Sequence, residues 1–191
     1  MRGFSLVRGA ILALVVVLLS GCGYNQIQSR DEAAKAGWSE VLNQYKRRAD
    51  LIPNLVATVK GYAAHEAQVL TAVTEARAKV SQINVNADDA ASLAQYQAAQ
   101  GELSQALGRL MMVTEAYPNL KADQQFIGLQ TQLEGTENRV TVARGRYIQL
   151  VQDYNTYIRQ FPIDPGAMVF GDKQTPHCTG AGETRAAAAA G

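Results

Sequence analysis

The chain has 191 residues, with 18 lysines and arginines against 17 aspartates and glutamates, and a formal net charge of +1. This even balance argues against a nucleic-acid-binding protein, which usually concentrates basic residues on one face. The length suits a single domain, and a composition rich in alanine, leucine, glutamine and valine favours helices. We therefore predict an all-α protein with no nucleic-acid partner.

The N-terminal segment has the pattern of a secretory signal peptide. Arg2 and Arg8 make its start basic, and residues 9–19 form an uncharged, apolar run of about eleven residues. A membrane-spanning helix needs about twenty such residues, so this run is too short for one. Two small residues, Ser20 and Gly21, follow the run directly, as is typical just before the cleavage site of a signal peptide.

The next residues indicate how the protein is anchored. Leu19-Ser20-Gly21-Cys22 resembles the lipobox of bacterial lipoproteins. The resemblance implies cleavage between Gly21 and Cys22, a diacylglycerol on the cysteine sulfur and an acyl chain on the new amino group. Several acyl chains hold a protein stably at a membrane, whereas a single chain binds only marginally. The alternative is an uncleaved signal anchor, in which Cys22 is an ordinary thiol.

Both interpretations predict a membrane-anchored protein of the cell envelope that faces the periplasm or the extracellular side.

Composition divides the chain into four parts. Residues 1–21 are predicted to be a signal peptide, 22–30 an anchor and tether, 31–165 a helical bundle and 166–191 a disordered tail rich in small and polar residues.

Three apolar strips in the middle of the chain have the three- and four-residue spacing of helices that pack in a bundle. They run from Trp38 to Val80, from Leu93 to Tyr117 and from Phe126 to Phe161. Because the connections between them are short, neighbouring helices should be antiparallel. We therefore predict an elongated up-and-down bundle of three long helical stretches.

The interruptions of the pattern predict where these helices begin and end. Asp88 or Asp89 can cap the second helix, and prolines after Tyr117 and Phe161 end the second and third. Pro53 lies inside the first strip, where a proline removes a backbone hydrogen bond. Because the apolar phase continues past it, we predict a kink or short break between residues 50 and 54, which gives four segments in all.

Four polar residues fall on or beside the apolar strips: Arg48, Glu66, Arg77 and Gln100. Long side chains that snorkel from the edge of the seam between helices explain them most simply. The alternative is an interior ion pair or polar layer that fixes the register of the helices.

Two pairs of glycines are spaced seven residues apart, Gly101 with Gly108 and Gly128 with Gly135. This spacing places each pair on one helix face. We favour close helix packing within the bundle as its reason, with packing between chains as the alternative.

The sequence contains no pattern typical of an active site. A Ser-His-Asp set, an HExxH motif, a phosphate-binding loop and a CxxC motif are all absent. His65-Glu66 lacks the second histidine of a zinc motif, and the adjacent His177 and Cys178 lack further ligands. We therefore predict no catalytic residue, no metal and no cofactor, and expect that the protein is not an enzyme. With a lipid on Cys22, no disulfide is expected either.

Several segments together resemble the LemA family of bacterial envelope proteins. They are Tyr24-Asn25, Trp38, RRADLIPNLVATVKGYAAHE (47–66), EARA (75–78), EAYPNLKADQQFIGLQTQLEGTENRVTVAR (115–144), YN (154–155) and FP (161–162). The resemblance implies an up-and-down helical bundle with an N-terminal membrane segment and most of the chain outside the cytoplasm. It carries no catalytic residues over to this sequence. The lipobox and the short apolar stretch after Pro162 depart from the family pattern.

From these features we expect a non-catalytic scaffold or adaptor that binds the membrane through Cys22 and an unidentified envelope protein through its helical surfaces. A self-assembling, membrane-shaping protein is the alternative, and an envelope hydrolase is a third.

Overall fold

The computed structural model describes the backbone of residues 2–87 and 89–160 and the side chains from residue 25 onward within those ranges. The described residues form five α-helices and no strand: α1 (Arg2–Tyr62), α2 (Ala67–Gln82), α3 (Ala90–Thr114), α4 (Pro118–Lys121) and α5 (Gln124–Tyr157). The prediction of an all-α helical bundle is confirmed. The side chain of Cys22 and all of residues 161–191 lie outside the described part of the chain, so the lipidation site and the disordered tail stay predictions.

Contacts along α1 and α5 show that these two helices are antiparallel. Tyr62, at the end of α1, bonds to Asp123 just before α5, and Arg48 pairs with Glu137 one level further along. At the other end Ile27 packs against the last residues of α5. The α1–α5 pair is the most extensive helix contact in the described bundle.

The remaining helices alternate in direction as predicted. Arg77 of α2 reaches the backbone of Ala49 in α1, and Lys79 pairs with Glu102 of α3 at 2.6 Å. Helix α2 therefore runs antiparallel to both of its neighbours, and α3 runs parallel to α1. The single turn α4 then leads into α5, so α1, α2, α3 and α5 form an up-and-down bundle.

The first helical stretch is divided, but not where Pro53 predicts. Helix α1 continues through Pro53 and ends at Tyr62, and α2 begins only at Ala67. A break between residues 50 and 54 is therefore absent, whereas a kink there, the other form of the prediction, stays a prediction. The chain turns over residues 63–66, where the Glu66 N–H donates to the Ala63 carbonyl at 3.1 Å.

A contact from α2 explains how α1 accommodates Pro53. In a helix the N–H of residue 53 would donate to the carbonyl of Ala49, and proline has no N–H to give. Arg77 donates its Nε–H to that carbonyl at 2.9 Å. The ring of Pro53 lies on the exposed side of α1, so the proline disturbs neither the core nor the balance of backbone hydrogen bonds.

The other helix ends follow the sequence. Asp89 is the N-cap of α3 and accepts hydrogen bonds from the N–H groups of Ala91 and Ser92. The helix α3 ends just before the Tyr117-Pro118 step, as predicted, and Pro118 opens α4. Asp123 caps α5 by accepting from the N–H of Phe126 at 2.9 Å, because a side-chain oxygen can satisfy a donor that the first turn leaves open.

The predicted strips supply the core. Most strip residues of α1, α3 and α5 are buried, and the largest fully buried side chains include Ile52, Leu110, Phe126 and Tyr147. Packing in the described bundle extends back to Ile27, which is helical and 2% exposed.

We predict that Arg77 stabilises the protein mainly by donating a hydrogen bond to the Ala49 carbonyl, which receives none from Pro53. Replacing Arg77 by Met removes the donor from a packed carbonyl and should lower the free energy of unfolding by about 1–3 kcal/mol. In a Pro53→Ala background the alanine N–H supplies the bond, so the loss on Arg77→Met should be clearly smaller. Urea unfolding of the four proteins in this double-mutant cycle measures the coupling.

Arg109→Met is the matched control, because Arg109 is an exposed arginine on α3. Its effect should be small and equal in the presence and absence of Pro53. An equal loss from Arg77→Met in both backgrounds would show that Arg77 acts independently of the proline.

Candidate functional site

The middle of the bundle holds a buried polar layer. Arg48 has a side chain that is only 5% exposed, and it reaches Glu137 of α5 at 2.9 Å and Ser104 of α3 at 2.8 Å. Ser104 in turn donates to the carbonyl of Gln100, whose own side chain is buried. One arginine thus connects three helices.

This layer corrects the interpretation of Arg48 as a snorkelling side chain. The guanidinium lies inside the bundle in an ion pair, which was the alternative. The Glu137 side chain is 54% exposed, so water screens part of the attraction. Removing one partner of such a pair leaves the buried charge uncompensated, and that is its main energetic consequence. The layer is therefore suited to specifying helix register.

Four aromatic residues pack next to the polar layer. The rings of Trp38 and Tyr147 lie 5.2 Å apart, Trp38 and Tyr96 lie 6.4 Å apart, and Tyr45 meets Tyr96 edge-on at 5.6 Å. Burial raises the pKa of the Tyr96 hydroxyl, so it keeps its proton at neutral pH. The cluster joins α1, α3 and α5 as core.

Two tyrosine–carboxylate bonds close the end of the bundle at the α1–α2 turn. Tyr62 donates to Asp123 at 2.8 Å, and Tyr117 donates to Glu66 at 3.1 Å. The N–H of Phe126 and the Tyr62 hydroxyl lower the pKa of Asp123. The strip residue Glu66 is half-buried and bonded to Tyr117, the residue just before α4.

His65 is exposed in the same turn, and the prediction that it has no catalytic role stays a prediction. Within the described residues no group of three or more His, Cys, Asp or Glu could hold a metal ion. The same part of the chain has no helix both long and apolar enough to span a membrane.

A groove of ≈ 640 Å³ runs along the surface between α1 and α5, and we call it the α1/α5 groove. Small and apolar residues dominate its lining, with polar and charged residues among them. The lining consists of Ala33, Ala36, Gly37, Glu40, Gln44, Asn138, Arg139, Val142, Ala143, Arg146 and Leu150. Val142 is 66% exposed, so an apolar side chain faces water there.

Gly37 leaves room beneath this groove for the Leu150 side chain of α5. A Cβ at Gly37 would come within 2.7 Å of Leu150 Cδ1 and 3.6 Å of the Tyr147 Cα. The sequence does not single out Gly37, because it belongs to neither pair of glycines spaced by seven. Its significance depends on which residues of α5 lie opposite, which the spacing within α1 does not reveal.

The glycines that the spacing does single out have a different environment. A Cβ at Gly101, Gly108 or Gly128 would meet no atom within 4 Å, and at Gly135 it would meet only the Arg139 side chain at 3.8 Å. The interpretation that they allow close packing within the bundle is therefore wrong. Contacts between chains, the alternative, stay a prediction.

The polar members of the α1/α5 groove are unevenly engaged. Glu40 accepts a hydrogen bond from the Gln44 amide at 2.5 Å. Arg139 and Arg146 are exposed and form no ion pair with a described residue. Inside the groove the buried amide oxygen of Gln44 has no hydrogen-bond donor among the described residues. The groove thus offers an apolar floor with a positive rim.

Comparison with known proteins places these features in a family context. The model of the LemA family matches residues 37–189, which include most of the segment predicted to be a disordered tail. The chain is 25% identical over 187 residues to magnetosome protein MamQ 1 of Paramagnetospirillum magneticum and to magnetosome protein MamQ of Magnetospirillum gryphiswaldense, and covers 68% of each. Those alignments take in 88% of this chain. It is also 25% identical over 137 residues to protein LemA of Metamycoplasma hominis, which is 72% of this chain and 57% of that protein.

We predict that the Asp123 cap makes stability depend on pH. The folded pKa of this carboxyl is lowered, so its contribution is present at neutral pH and is lost as the pH falls through the folded pKa. Asp123→Asn should therefore be less stable than the parent at about pH 7, and the two should converge as the pH falls below 3.8, the ordinary pKa of the carboxyl. Urea unfolding across this range measures the difference.

Tyr62→Phe separates the two causes of the lowered pKa. It removes the hydroxyl donor and leaves the Phe126 N–H in place, so it should weaken the pH dependence in part. A stability difference between the parent and Asp123→Asn that is the same at all pH values would contradict the proposed origin.

We predict that alanine at Gly101 and Gly108 stabilises the isolated chain. Both positions are helical and open, so each substitution should add about 1 kcal/mol through helix propensity alone. Thermal unfolding measures this gain, and sedimentation of the same proteins measures association. Gly37→Ala is the contrasting variant, because its Cβ would force Leu150 to move. A loss of stability at both open positions would show that the glycines make contacts absent from the single chain.

Proposed function

This chain belongs to the LemA family, and from that membership we propose that it is a membrane-anchored envelope protein that acts as a scaffold or adaptor without catalysing a reaction. The observation that carries the proposal is the α1/α5 groove, an apolar floor with two arginines at its rim on the surface of a rigid bundle. Interfaces are favoured where an apolar patch has a polar rim.

Four polar side chains that bond between helices or across helix ends support a structural role. Arg48 is held by two partners, Arg77 by a backbone carbonyl, and the carboxylates of Glu66 and Asp123 by tyrosines. These contacts stabilise the arrangement of helices. The surface of the bundle is then the part with which other molecules interact.

The proposed anchor is lipid on Cys22 after cleavage between Gly21 and Cys22, with the bundle on the periplasmic or extracellular side. The backbone of α1 is helical without interruption from Arg2 to Tyr62. A lipidated Cys22 would therefore continue directly into the helix that carries Ile27, the first buried residue of the described core. An uncleaved signal anchor would place the bundle in the same way.

A self-assembling, membrane-shaping protein is the second candidate. The open environment of Gly101, Gly108 and Gly128 favours it, because these glycines leave room for another helix to approach. The alanine variants described above separate the two candidates, since only self-assembly requires that they weaken association.

The scaffold proposal predicts a specific crosslink from the groove. A photo-crosslinking amino acid at Val142, in the full chain in native membranes, should give one adduct with another envelope protein, identified by mass spectrometry. The same amino acid at Gln105, an exposed position on the α2–α3 face, should not give that adduct. Recovery of the monomer alone at every dose contradicts the scaffold role, and an adduct of two copies supports self-assembly.

Cys22→Ser tests the anchor in the same experiment. The parent should begin at Cys22 and carry the mass of its acyl chains, whereas the variant should lack both and lose the membrane-dependent adduct. An unmodified thiol at Cys22 in the parent contradicts lipid anchoring.

A further inference from the structure

Helix α3 carries a row of exposed residues, none of which is charged. The row alternates steps of three and four residues, and its members are Ala91, Ala94, Ala98, Gly101, Gln105, Gly108 and Met112. That alternation is the spacing of a helix face that packs against another helix. In the single chain the row is open, because a Cβ at Gly101 or Gly108 would meet no atom within 4 Å and Met112 is 68% exposed. We call this row the α3 face.

The α1/α5 groove has the opposite shape. It is concave, and its apolar lining includes Val142, which is 66% exposed. Along α1 the groove extends over residues 33–44, which corresponds to about 17 Å, or about three turns, of helix. A convex helix with small, uncharged side chains would fill it. Two grooves placed face to face would enclose empty space, whereas the cores of interfaces are packed as densely as protein interiors.

The proposed anchor defines how two copies stand beside each other. Copies held in one membrane through Cys22 are parallel and at the same height. Arg48 contacts both Ser104 of α3 and Glu137 of α5, so these residues mark one level of the bundle. Heights along the helices of neighbouring copies can therefore be compared by counting residues from that level.

At equal height the groove of one copy is level with the first part of the α3 face of the next copy. Because α3 runs parallel to α1, residues 33–44 of α1 are level with about residues 89–100 of α3. The α3 face consists there of Ala91, Ala94 and Ala98. Side chains of this size let helices approach closely, since the distance between helix axes depends on the residues in contact.

The charges beside the two surfaces also match in this arrangement. Arg139 lies two residues after Glu137 on α5, and Glu102 lies two residues before Ser104 on α3. Because α5 and α3 run in opposite directions, both positions are about 3 Å from the level of Arg48, towards the anchored end. Arg139 is exposed and forms no ion pair with a described residue. The Glu102 side chain, although paired with α2, stays 51% exposed and can accept a second cation.

We propose that the α1/α5 groove of one copy binds the α3 face of a second, parallel copy, with Ala98 at Val142 and Glu102 beside Arg139. Every copy carries one groove and one α3 face, so the contact can repeat from copy to copy along the membrane. Anchoring in one membrane raises the effective concentration, so a contact of modest area is sufficient. The proposal rests on the anchor and on the second candidate function, self-assembly, and it assigns the two surfaces that assembly uses.

Disulfide formation between copies in native membranes tests the assigned surfaces. Two full-length variants, both with Cys178→Ser, carry Val142→Cys or Ala98→Cys with different affinity tags and are produced together. Under oxidation this pair should form mixed dimers at least about tenfold faster than the control pair Val142→Cys and Ser81→Cys. Ser81 is the matched control, because it is exposed on α2 and lies within about one turn of Ala98 in height.

Equal rates for the two pairs would overturn the assigned surfaces. Dimers that form mainly between two Val142→Cys chains would overturn them too, because the grooves would then face each other, and so would adducts mainly with another protein. Sedimentation of the same proteins in mild detergent separates the surfaces from the function. Association without the disulfide between positions 142 and 98 overturns only the surfaces, whereas a monomer without this disulfide overturns self-assembly as well.

A charge reversal tests the polar contact. Arg139→Glu in the Val142→Cys copy should slow mixed-dimer formation several-fold, and so should Glu102→Lys in the Ala98→Cys copy. The two together should restore the rate, because the pair re-forms with its charges exchanged. Arg146→Glu is the control, since Arg146 is level with an uncharged part of α3, and its effect should be small. No effect of either reversal, no recovery in the pair, or an equal effect of Arg146→Glu would overturn the proposed contact.

Discussion

The bundle depends on one hydrogen bond between helices that replaces a backbone hydrogen bond missing from α1. Pro53 cannot donate to the carbonyl of Ala49, and Arg77 supplies that bond from α2. The preceding residue, Arg48, extends to α3 and α5 at the same level. Two consecutive residues of α1 therefore connect it to the three other long helices. The proline, which would be expected to interrupt the helix, lies one turn from the level where the helices are joined.

A buried arginine at this level specifies register more than it adds stability. Its carboxylate partner, Glu137, is half in water, so the attraction between them is modest. Sliding α5 along α1 would instead leave the Arg48 charge buried without a partner, which is strongly unfavourable. The same register places Leu150 against Gly37 and leaves Val142 facing solvent. The shape of the α1/α5 groove is therefore a consequence of the polar layer.

Helix caps and helix ends depend on neighbouring residues and could be predicted from the sequence. Contacts between residues far apart in the chain could not. The Asp89 cap and the stop at Tyr117 depend on side chains within a few residues, so the sequence is sufficient. The continuity of α1 through Pro53 depends on Arg77, which is far away along the chain, and the close approach at Gly37 depends on Leu150. Periodicity identifies the buried face of each helix but not the residues that lie opposite it. That is why the sequence left a polar layer only as an alternative, and why the partners of Arg48 and the groove became visible only in the structure.

The arrangement of the ends connects the groove to the membrane. Ile27 of α1 packs against Tyr154 and Ile158 of α5, so the chain enters and leaves the described bundle side by side. In the proposed arrangement a lipid on Cys22 lies only about one and a half turns before Ile27, so this end of the bundle is the one nearest the membrane. The α1/α5 groove begins at Ala33, about 9 Å further along α1. A partner held at the membrane surface would therefore meet the groove at its Ala33 end first.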